Sequence, residues 1–531
     1  MIPLFTPAQV RDMDRRTIDG GTGSLDLMER AAGHLARAVL RSAGRSYGLR
    51  VALLCGKGNN GGDGIAAARY LSRAGAWPVV CLVGAAGEGE LSADAAVQLA
   101  RWRALGGRIS TDMAAVLDRA DIAVDCLLGT GATGAPRAPY DAAIDMLNTS
   151  GVPVVACDLP SGVNADTGDV AAQAVRAGVT LTIGAHKRGL ALWPARSYTG
   201  DLQLADIGIR AADDEPVANL LEPADVTRLL PEPSDDSDKR RRGVVVIVAG
   251  SSDMSGAAVL VARGALAAGA GLVTVATTPL ARRLVAPNVP EAMTLELPED
   301  DPDAAFEHIA ALCERADALA IGPGLGHEPP QIALVQRCVR ELDVPTVLDA
   351  DGINAFRHEA KALADHAAGT LVITPHRSEL ARVLGTEDDD GWEQRVEWVP
   401  ECARNWRASI VAKGPGSLIA APDGRVWINS TGTVALATGG TGDVLTGMTV
   451  AALAAGTDTA RVAATVALHG LAGQVAAAGA SVRSVTSLGV ARAIPRALRQ
   501  LRGSAATRRD SVAARGVSEP VSGDRWEQIS T

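Results

Sequence analysis

Short apolar runs alternate with helical segments along most of the chain, and nearly every run ends in a turn that carries glycine or proline. In the first half the apolar runs lie at 51–55, 78–83, 122–128 and 152–157. In the second half they lie at 244–249, 272–276, 318–321, 346–349, 371–374 and 410–413. This alternation is typical of doubly wound α/β folds, in which ligand-binding loops gather at the carboxyl ends of parallel strands. Apolar residues make up 47% of the chain and aromatic residues only 3%, which suits buried strands covered by alanine-rich helices.

The alternation is interrupted once, at residues 211–242, where the chain is acidic, then proline-rich and finally basic. At 531 residues the chain is too long for one ordinary core. We therefore predict a first α/β domain at 1–212 and a linker with a first short helix at 213–242. A second α/β domain is predicted within 222–502, the short helix included. Residues 503–531 are rich in Ser, Arg and Ala without periodicity, which predicts a disordered tail.

Composition excludes several classes of function. The net charge of −10 argues against a nucleic-acid-binding surface. No window reaches the ~18 uninterrupted apolar residues that span a bilayer, and the first residues lack a secretion signal, so we expect no membrane partner and a cytoplasmic protein. The seven cysteines are scattered without paired spacing, and we expect reduced core thiols.

The segment 429–447 contains a glycine run and one acid directly before an apolar helical pattern. Gly439, Gly440 and Gly442 allow a close approach of backbone to ligand, and the free N–H groups of a first helical turn attract phosphate. Asp443 within that turn could accept a proton from a hydroxyl that attacks a phosphoryl group. The competing interpretation is that Asp443 only caps the helix.

Polar residues also follow the strands of the first half. Gly56, Gly58 and Gly61 fit a dinucleotide-binding pattern only weakly, because no acidic residue ends the next predicted strand. Asn59, Asn60 and Asp63 could hold a ribose-phosphate or a hard cation, although a plain Asn- and Gly-rich turn is the alternative. Asp125 and Asp158 end two further strands, so they are expected at the same crevice, unless each merely caps a helix.

The segments NNGGDG, DCLLGTGATG and DLPSGVNADTG together resemble the NAD(P)H-hydrate epimerase domain, a Rossmann-like three-layer αβα sandwich, over residues 1–210. The resemblance implies that hydrated NAD(P)H is bound by Asn59, Asn60, Gly61, Gly62, Asp63, Gly129, Thr130, Gly131, Ala132, Thr133, Gly134, Ala135, Tyr140 and Asp158. It implies a potassium ion held at Asn60, Asp125 and Ser161, with Asp158 as the catalytic acid/base. Lys187 would be a helper, although a lone lysine is more often a surface charge.

In the second half the turns GSSDMSGAA, GPGLG, DADGIN, TPHRSE, KGPGS and GGTGD follow one another in that order. Together they resemble the ADP/ATP-dependent NAD(P)H-hydrate dehydratase, a ribokinase-like α/β domain, over residues 222–500. The resemblance implies that Ala257, Gly324, His376 and Asp443 surround the hydrated nucleotide, with Asp443 catalytic. It implies that Lys413, Gly414, Pro415, Gly416, Ser417 and Gly442 hold the adenine nucleotide with Mg²⁺. His469, within an apolar helix, is expected to be structural.

The resemblance thus predicts a bifunctional repair enzyme that acts on hydrated NADH and NADPH with ADP or ATP, ADP being adopted by analogy with bacterial relatives. We also expect a homo-oligomer. Met254, Arg377 and Ser378 depart from the family pattern, in which a tyrosine and a Pro-Gly pair are usual. Two alternatives remain open at this point: a ribokinase-like kinase for a vitamin precursor or sugar, and an N-terminal binding module without catalysis.

Overall fold

The computed structural model describes residues 1–84, 88–209, 214–386 and 394–515, with side chains to residue 503. It divides into an N-terminal unit, residues 2–218, and a C-terminal unit that begins at Asn219. Each unit contains its own sheet with helices packed against it, and the strands of both sheets are mostly parallel. The predicted two-domain α/β class is therefore confirmed.

The N-terminal unit alternates strands and helices from its second strand onward. Its elements are β1 (Ile2–Leu4), α1 (Pro7–Asp19), α2 (Ser24–Ala43), β2 (Arg50–Cys55), α3 (Asn59–Arg73), β3 (Trp77–Leu82), α4 (Ala93–Ala104), β4 (Arg108–Ser110), α5 (Met113–Leu117), β5 (Ile122–Cys126), α6 (Tyr140–Thr149), β6 (Val154–Cys157), β7 (Val179–Ile183), α7 (Arg196–Thr199) and β8 (Asp201–Ala205).

The sheet of this unit has the order β4-β3-β2-β5-β6-β7-β8, and every neighbouring pair is parallel. The chain leaves β2 toward β3 and β4 and then returns to the other side of β2 with β5. A crevice opens at such a reversal, outside the carboxyl ends of the two central strands. The loops that follow β2 and β5 are those that carry NNGGDG and GTGATG.

The C-terminal unit has the longer list of elements. They are β9 (Ala218–Leu220), α8 (Pro223–Leu229), β10 (Val244–Val248), α9 (Ser255–Ala268), β11 (Leu272–Thr277), α10 (Pro279–Asn288), β12 (Met293–Glu296), α11 (Pro302–Cys313), β13 (Ala318–Ile321), α12 (Pro329–Glu341), β14 (Thr346–Leu348), α13 (Asp351–Asn354), β15 (Leu371–Ile373), α14 (Arg377–Leu384), α15 (Arg395–Trp406), β16 (Ser409–Ala412), β17 (Leu418–Ala420), β18 (Val426–Ile428), α16 (Thr441–Ala454), α17 (Thr459–Ala478) and α18 (Ser487–Arg515).

Its strands follow the order β9-β18-β17-β16-β15-β14-β13-β10-β11-β12, and only the β16–β17 and β17–β18 pairs are antiparallel. The reversal lies between β10 and β13, so the turns 250–255 and 322–326 face each other there. The core of this unit is built from Val, Ile, Leu and Ala of the central strands and of α9, α16, α17 and α18.

Two segments differ from the sequence expectation. The predicted linker at 213–242 contains β9, which pairs with β18 through Asn219 and Leu220, because this short apolar strand can complete an open sheet edge. Helix α18 continues past residue 503, where a tail was expected, since Ala and Arg are strong helix formers. Residues 516–531 of that expected tail lie outside the described residues.

The cysteines behave as predicted. All seven are free thiols, five of them buried and Cys313 and Cys402 half-buried. Over the described residues, no helix is long and apolar enough to cross a bilayer.

Candidate active sites

In the N-terminal unit, three polar side chains meet beneath the crevice. Asp125, which is fully buried, accepts hydrogen bonds from the backbone N–H and the hydroxyl of Ser161 at 2.7 and 2.6 Å. The Asn60 amide nitrogen donates to the carbonyl of Leu128 at 2.9 Å, and the Ser161 hydroxyl accepts from the N–H of Leu128. The three predicted potassium ligands therefore surround one short segment of backbone.

One atom of this cluster stands out. The side-chain oxygen of Asn60 is buried and has no hydrogen-bond partner, although an unsatisfied buried acceptor costs free energy. Burial raises the pKa of Asp125 to about 6, despite the hydrogen bonds from Ser161 and Leu127 that lower it. An oxygen-rich, partly unsatisfied cluster of this kind suits a hard monovalent or divalent cation.

Asp158 lies directly after β6 in a left-handed backbone conformation, φ 66°, which is uncommon for an aspartate. Its carboxylate accepts from the Lys187 ammonium at 2.5 Å and from the N–H of Ile183 at 2.9 Å. The other donors of Lys187 bind the carbonyl of Ile183 and the hydroxyl of Thr182. Lys187 is only 1% exposed, so it is a buried partner of Asp158 rather than a surface charge.

Two further carboxyl groups face this ion pair. Burial raises the pKa of Asp63 well above its usual value, and the negative charges of Asp158 and Asp14 add to this effect. Burial likewise raises the pKa of Asp14, while Lys187 opposes the rise. Sequence reasoning did not identify Asp14, because it lies on an ordinary amphipathic helix, α1, with no motif around it.

The glycine-rich loops lie against the same cluster. A Cβ atom on Gly129 would lie 3.4 Å from the Cβ of Asn60, so the loops after β2 and β5 touch. A cavity of about 190 Å³ lies beside the second loop, lined by Leu128, Gly129, Ala132, Gly134, Leu159, Gly162, Val163, Asn164, Asp169 and Ala171. The hydroxyl of Tyr140, at the start of α6, lies instead beside Gly84, in the turn after β3.

In the C-terminal unit, Asp443 lies in the first turn of α16, which begins after Gly440 at φ 85°. Burial raises the pKa of Asp443 to about 6, Asp349 raises it further and Lys413 lowers it. The N-cap position is occupied by Gly440, and Asp443 stands three residues further on, inside the first turn of the helix. A carboxyl with a pKa near neutrality is suited to general base catalysis.

Lys413 follows β16 and donates to the carboxylate of Asp349 at 2.7 Å. Its ammonium lies 3.9 Å from a carboxylate oxygen of Glu379, and a Cβ atom on Gly442 would lie 3.5 Å from it. Burial lowers the pKa of Lys413, but the carboxylates of Asp349, Glu379 and Asp443 outweigh burial and raise it. Lys413 is thus a retained positive charge beside the first turn of α16.

His376 begins α14 as its N-cap. Its Nδ1 accepts from the N–H of Glu379 at 3.3 Å, and the Glu379 carboxylate accepts from the N–H of His376 at 2.7 Å. About half of the His376 side chain is exposed, so its ring remains accessible to a ligand.

The expectation for His469 agrees with its position: it is buried, its pKa is lowered to about 4 mainly by burial, and its Nε2 lies 3.0 Å from the carbonyl of Thr441.

The turns after β10, β13 and β14 pack against one another. A Cβ atom on Gly324, φ 68°, would lie 2.8 Å from the Met254 carbonyl and 2.9 Å from the Ala257 Cβ. A Cβ on Gly322 would lie 1.9 Å from the carbonyl of Asp349. Ala257 and Gly324 are therefore brought together. Ser417 closes the KGPGS turn, its hydroxyl donating to the carbonyl of Gly414 at 2.9 Å.

Sequence reasoning missed Asp349, Glu379 and Thr446 as members of this site. Asp349 could have been found, since it ends a strand in DADGIN as Asp125 and Asp158 do in the first half. Glu379 stands three residues after His376, the spacing of a capping box. Thr446 carries no sequence signal, because an isolated threonine within an apolar helix has many structural roles.

Comparison with known proteins identifies both halves. The NAD(P)H-hydrate dehydratase family matches residues 245–496, and the YjeF-related protein N-terminus family matches residues 24–189. The bifunctional NAD(P)H-hydrate repair enzyme of Moorella thermoacetica is 37% identical over 94% of this chain and 97% of its own length. The bifunctional NAD(P)H-hydrate repair enzyme of Salinibacter ruber is 36% identical over 93% of this chain and 96% of its own length.

Among solved structures, the ADP/ATP-dependent NAD(P)H-hydrate dehydratase of Bacillus subtilis, co-crystallised with ATP and Mg²⁺, covers 54% of this chain and 99% of its own. Its sequence is 32% identical to this chain, and the two structures superpose with a TM-score of 0.48. The full-length relatives contain both halves, which disfavours a vitamin or sugar kinase with a non-catalytic N-terminal module. The chain belongs to the family of bifunctional NAD(P)H-hydrate repair enzymes.

Proposed function

We propose that the N-terminal unit interconverts the R and S epimers of hydrated NADH and NADPH. The C-terminal unit dehydrates the S epimer with ADP as phosphoryl donor and releases AMP and phosphate. The observation that carries the second activity is the Asp443 carboxyl, with a pKa raised to about 6, in the first turn of α16 beside the Lys413 ammonium. A phosphate-binding helix start with an internal base fits phosphoryl transfer to a hydroxyl.

In the dehydratase reaction, the oxygen of the C6 hydroxyl attacks the terminal phosphoryl group of ADP, and Asp443 accepts the proton of that hydroxyl. The P–O bond to AMP breaks and a phosphate ester forms at C6. The C6–O bond then breaks, phosphate departs with the electron pair, and loss of a ring proton restores the double bond. Lys413 and the N–H groups of α16 stabilise the negative charge on the phosphoryl oxygens.

The adenine nucleotide is assigned to the KGPGS turn, Lys413 to Ser417, together with Gly442. The hydrated nucleotide is assigned to Ala257, Gly324, His376 and Asp443. The Bacillus subtilis dehydratase was crystallised with ATP and Mg²⁺, and we expect Mg²⁺ to accompany the nucleotide here. The metal would neutralise phosphate charge, while Asp443 handles the proton.

For the epimerase reaction, Asp158 is the proposed acid/base. Its ion pair with Lys187 and the bond from Ile183 hold the carboxylate in one orientation. The loops 59–63 and 129–135, with Tyr140, would bind the hydrated nucleotide. Asp63 and Asp14, whose pKa values are raised by burial, add carboxyl groups that can hold a proton near the reacting ring.

The Asn60, Asp125 and Ser161 cluster fits a potassium ion. The unpartnered side-chain oxygen of Asn60 and the carboxylate and hydroxyl oxygens beside it are hard ligands of the kind that alkali cations accept. Bound potassium would supply positive charge next to the phosphate-binding loop after β5.

The test is the recovery of absorbance at 340 nm from a prepared mixture of R and S hydrates with Mg²⁺ and ADP, repeated with ATP. The wild-type chain should recover the full absorbance, beyond the S fraction and faster than spontaneous epimer exchange. Asp443→Asn should recover none, while the exposed Asp423→Asn serves as matched control and should behave as wild type. A stable phosphate ester in place of inorganic phosphate would refute dehydration.

A further inference from the structure

Asp349 directly follows β14 and is 1% exposed. Both of its carboxylate oxygens are used. One accepts from the ammonium of Lys413 at 2.7 Å, and the other accepts from the hydroxyl of Thr446 at 2.5 Å. Thr446 lies one turn beyond Gly442 in α16, and its hydroxyl is also 3.1 Å from the Gly442 carbonyl. A single buried carboxylate therefore joins the end of β14, the end of β16 and the first turns of α16.

The backbone around Asp349 is held in a costly conformation. The next residue, Ala350, has φ 52° and ψ −119°, a region that side-chain-bearing residues rarely adopt. Gly322, in the turn after β13, packs directly on the carbonyl of Asp349. The backbone of Asp349 therefore has no room to move toward that turn. Strain of this kind persists only where the surrounding structure fixes it, and here it keeps the carboxylate pointed at Lys413 and Thr446.

Lys413 needs such a partner. Its side chain is long and flexible, and an ammonium contributes to phosphoryl transfer only when it is already in place as charge develops. Glu379, at 3.9 Å, is too distant to fix it by a hydrogen bond. The short contact to Asp349 is the one that defines its position.

We propose that Asp349 is a positioning residue of the dehydratase, which holds the Lys413 ammonium against the first turn of α16 and locks that turn through Thr446. This inference rests on the proposed function of the C-terminal unit. Asp349 acts through Lys413 and Thr446, so its removal should lower the turnover rate more than the affinity for the nucleotide.

The proposal also has an electrostatic consequence. The groups that act on Asp443 are Asp349 after β14, Asp351 at the start of α13 and Lys413 after β16. His469 on α17 touches the same helical turn but is neutral, because burial lowers its pKa to about 4. The charge of Asp349 raises the pKa of Asp443, so neutralising Asp349 should move the titration of Asp443 to lower pH.

The experiment compares Asp349→Asn, Thr446→Val and Ser409→Ala. Ser409 shares a buried hydrogen bond of 2.8 Å with Thr459 at the other end of β16, which makes it a matched control for the loss of a buried contact. Asp349→Asn should lower kcat about 10- to 100-fold with a smaller change in the KM for ADP, and move the acid limb of the pH profile downward. Thr446→Val keeps the negative charge of Asp349, so it should lower kcat and leave the acid limb of the pH profile in place. Ser409→Ala should match the wild type.

Thermal unfolding of each variant, followed by circular dichroism, reports whether the C-terminal unit has folded, and the epimerase activity of the same chain reports the amount of intact N-terminal unit. Lys413→Met and the double variant with Asp349→Asn complete a double-mutant cycle. If Asp349 acts through Lys413, the second substitution adds little to the first. Fully multiplicative losses, or an acid limb that stays in place in Asp349→Asn, would overturn the proposal. An inactive wild type would instead refute the proposed function itself.

Discussion

Asp158 and Asp443 stand in contrasting surroundings. The Asp158 carboxylate has a buried ammonium at 2.5 Å and a backbone donor, so its negative charge is matched directly. Burial and the negative charge of Asp349 both disfavour the ionised form of Asp443, and the positive charge of Lys413 only partly offsets them. The ion pair fixes the orientation of the Asp158 carboxylate, and a pKa near neutrality suits the Asp443 carboxyl to proton exchange.

The pKa of Asp443 predicts the pH dependence of the dehydratase. A general base must be deprotonated, so kcat/KM should fall as the pH drops through about 6. The measurement is the pH profile of S-hydrate dehydration at saturating nucleotide, with NADH recovery followed at 340 nm. A rate that is flat between pH 5 and 8 would contradict the role of Asp443 as base.

The same shift predicts a gain in stability when the charge is removed. The folded-state pKa of Asp443 lies above its usual value of 3.8, so its stabilising contribution is complete below pH 3.8 and is lost as the pH rises to about 6. Asp443→Asn should therefore raise the free energy of unfolding at pH 7.5 by about 1–2 kcal/mol, after allowance for solvent screening. Urea denaturation at pH 7.5 and pH 4 tests this, and the gain should vanish at the lower pH.

The unpartnered oxygen of Asn60 predicts a cation requirement. Epimer exchange should increase with potassium when choline keeps the ionic strength constant, and Asn60→Ala should raise the required potassium concentration about tenfold or more. Asn148→Ala is the matched control, since that amide binds the carbonyl of Ala174 and the N–H of Arg176 instead. Exchange that is indifferent to potassium in the wild type would count against the site.

At the scale of elements, helices α9 and α16 approach each other without intervening side chains. A Cβ atom on Gly264 would lie 2.3 Å from the carbonyl of Val444, and one on Gly447 would lie 2.0 Å from the carbonyl of Val261. Backbone therefore meets backbone on both helices. This contact fixes the distance between α9 and α16, and with it the position of Asp443 in the first turn of α16.

Gly447→Ala should accordingly destabilise the C-terminal unit by about 1–3 kcal/mol and reduce dehydration, while epimer exchange continues. Gly256→Ala is the stability control on α9, because a Cβ there meets no atom within 4 Å. That substitution should be neutral or slightly stabilising, as alanine favours helix. Thermal unfolding of both variants provides the comparison, and equal melting temperatures would contradict the packing argument.

The alternation of apolar runs predicted both parallel sheets, because buried parallel strands leave a strong local pattern. Strands β7 and β8 were not predicted, since Val179–Ile183 and Asp201–Ala205 alternate apolar and polar residues over only five positions. For the sites, glycine-rich turns and strand-end acids supplied the candidate residues. Contacts between distant segments, such as Asp349 with Thr446 or Asp158 with Lys187, depend on packing that no local pattern records.

At the scale of the whole molecule, the two proposed activities are assigned to two different compact units. Asp158→Asn should stop recovery at the S fraction, and Asp443→Asn should stop recovery altogether. An equimolar mixture of the two variants should recover the full absorbance, because the epimer released by one chain can diffuse to the other. If the mixture recovers no more than the S fraction, exchange between chains does not occur.

The turn that carries Met254 separates the part of the residue that packs from the part that is exposed. Gly324 packs against the backbone carbonyl and Cβ of residue 254, whereas the Met254 side chain is 41% exposed. The architecture of the turn thus depends little on which side chain extends beyond Cβ at that position. Position 254 can therefore vary, by evolution or by design, while the packing of the turn beneath it stays unaltered.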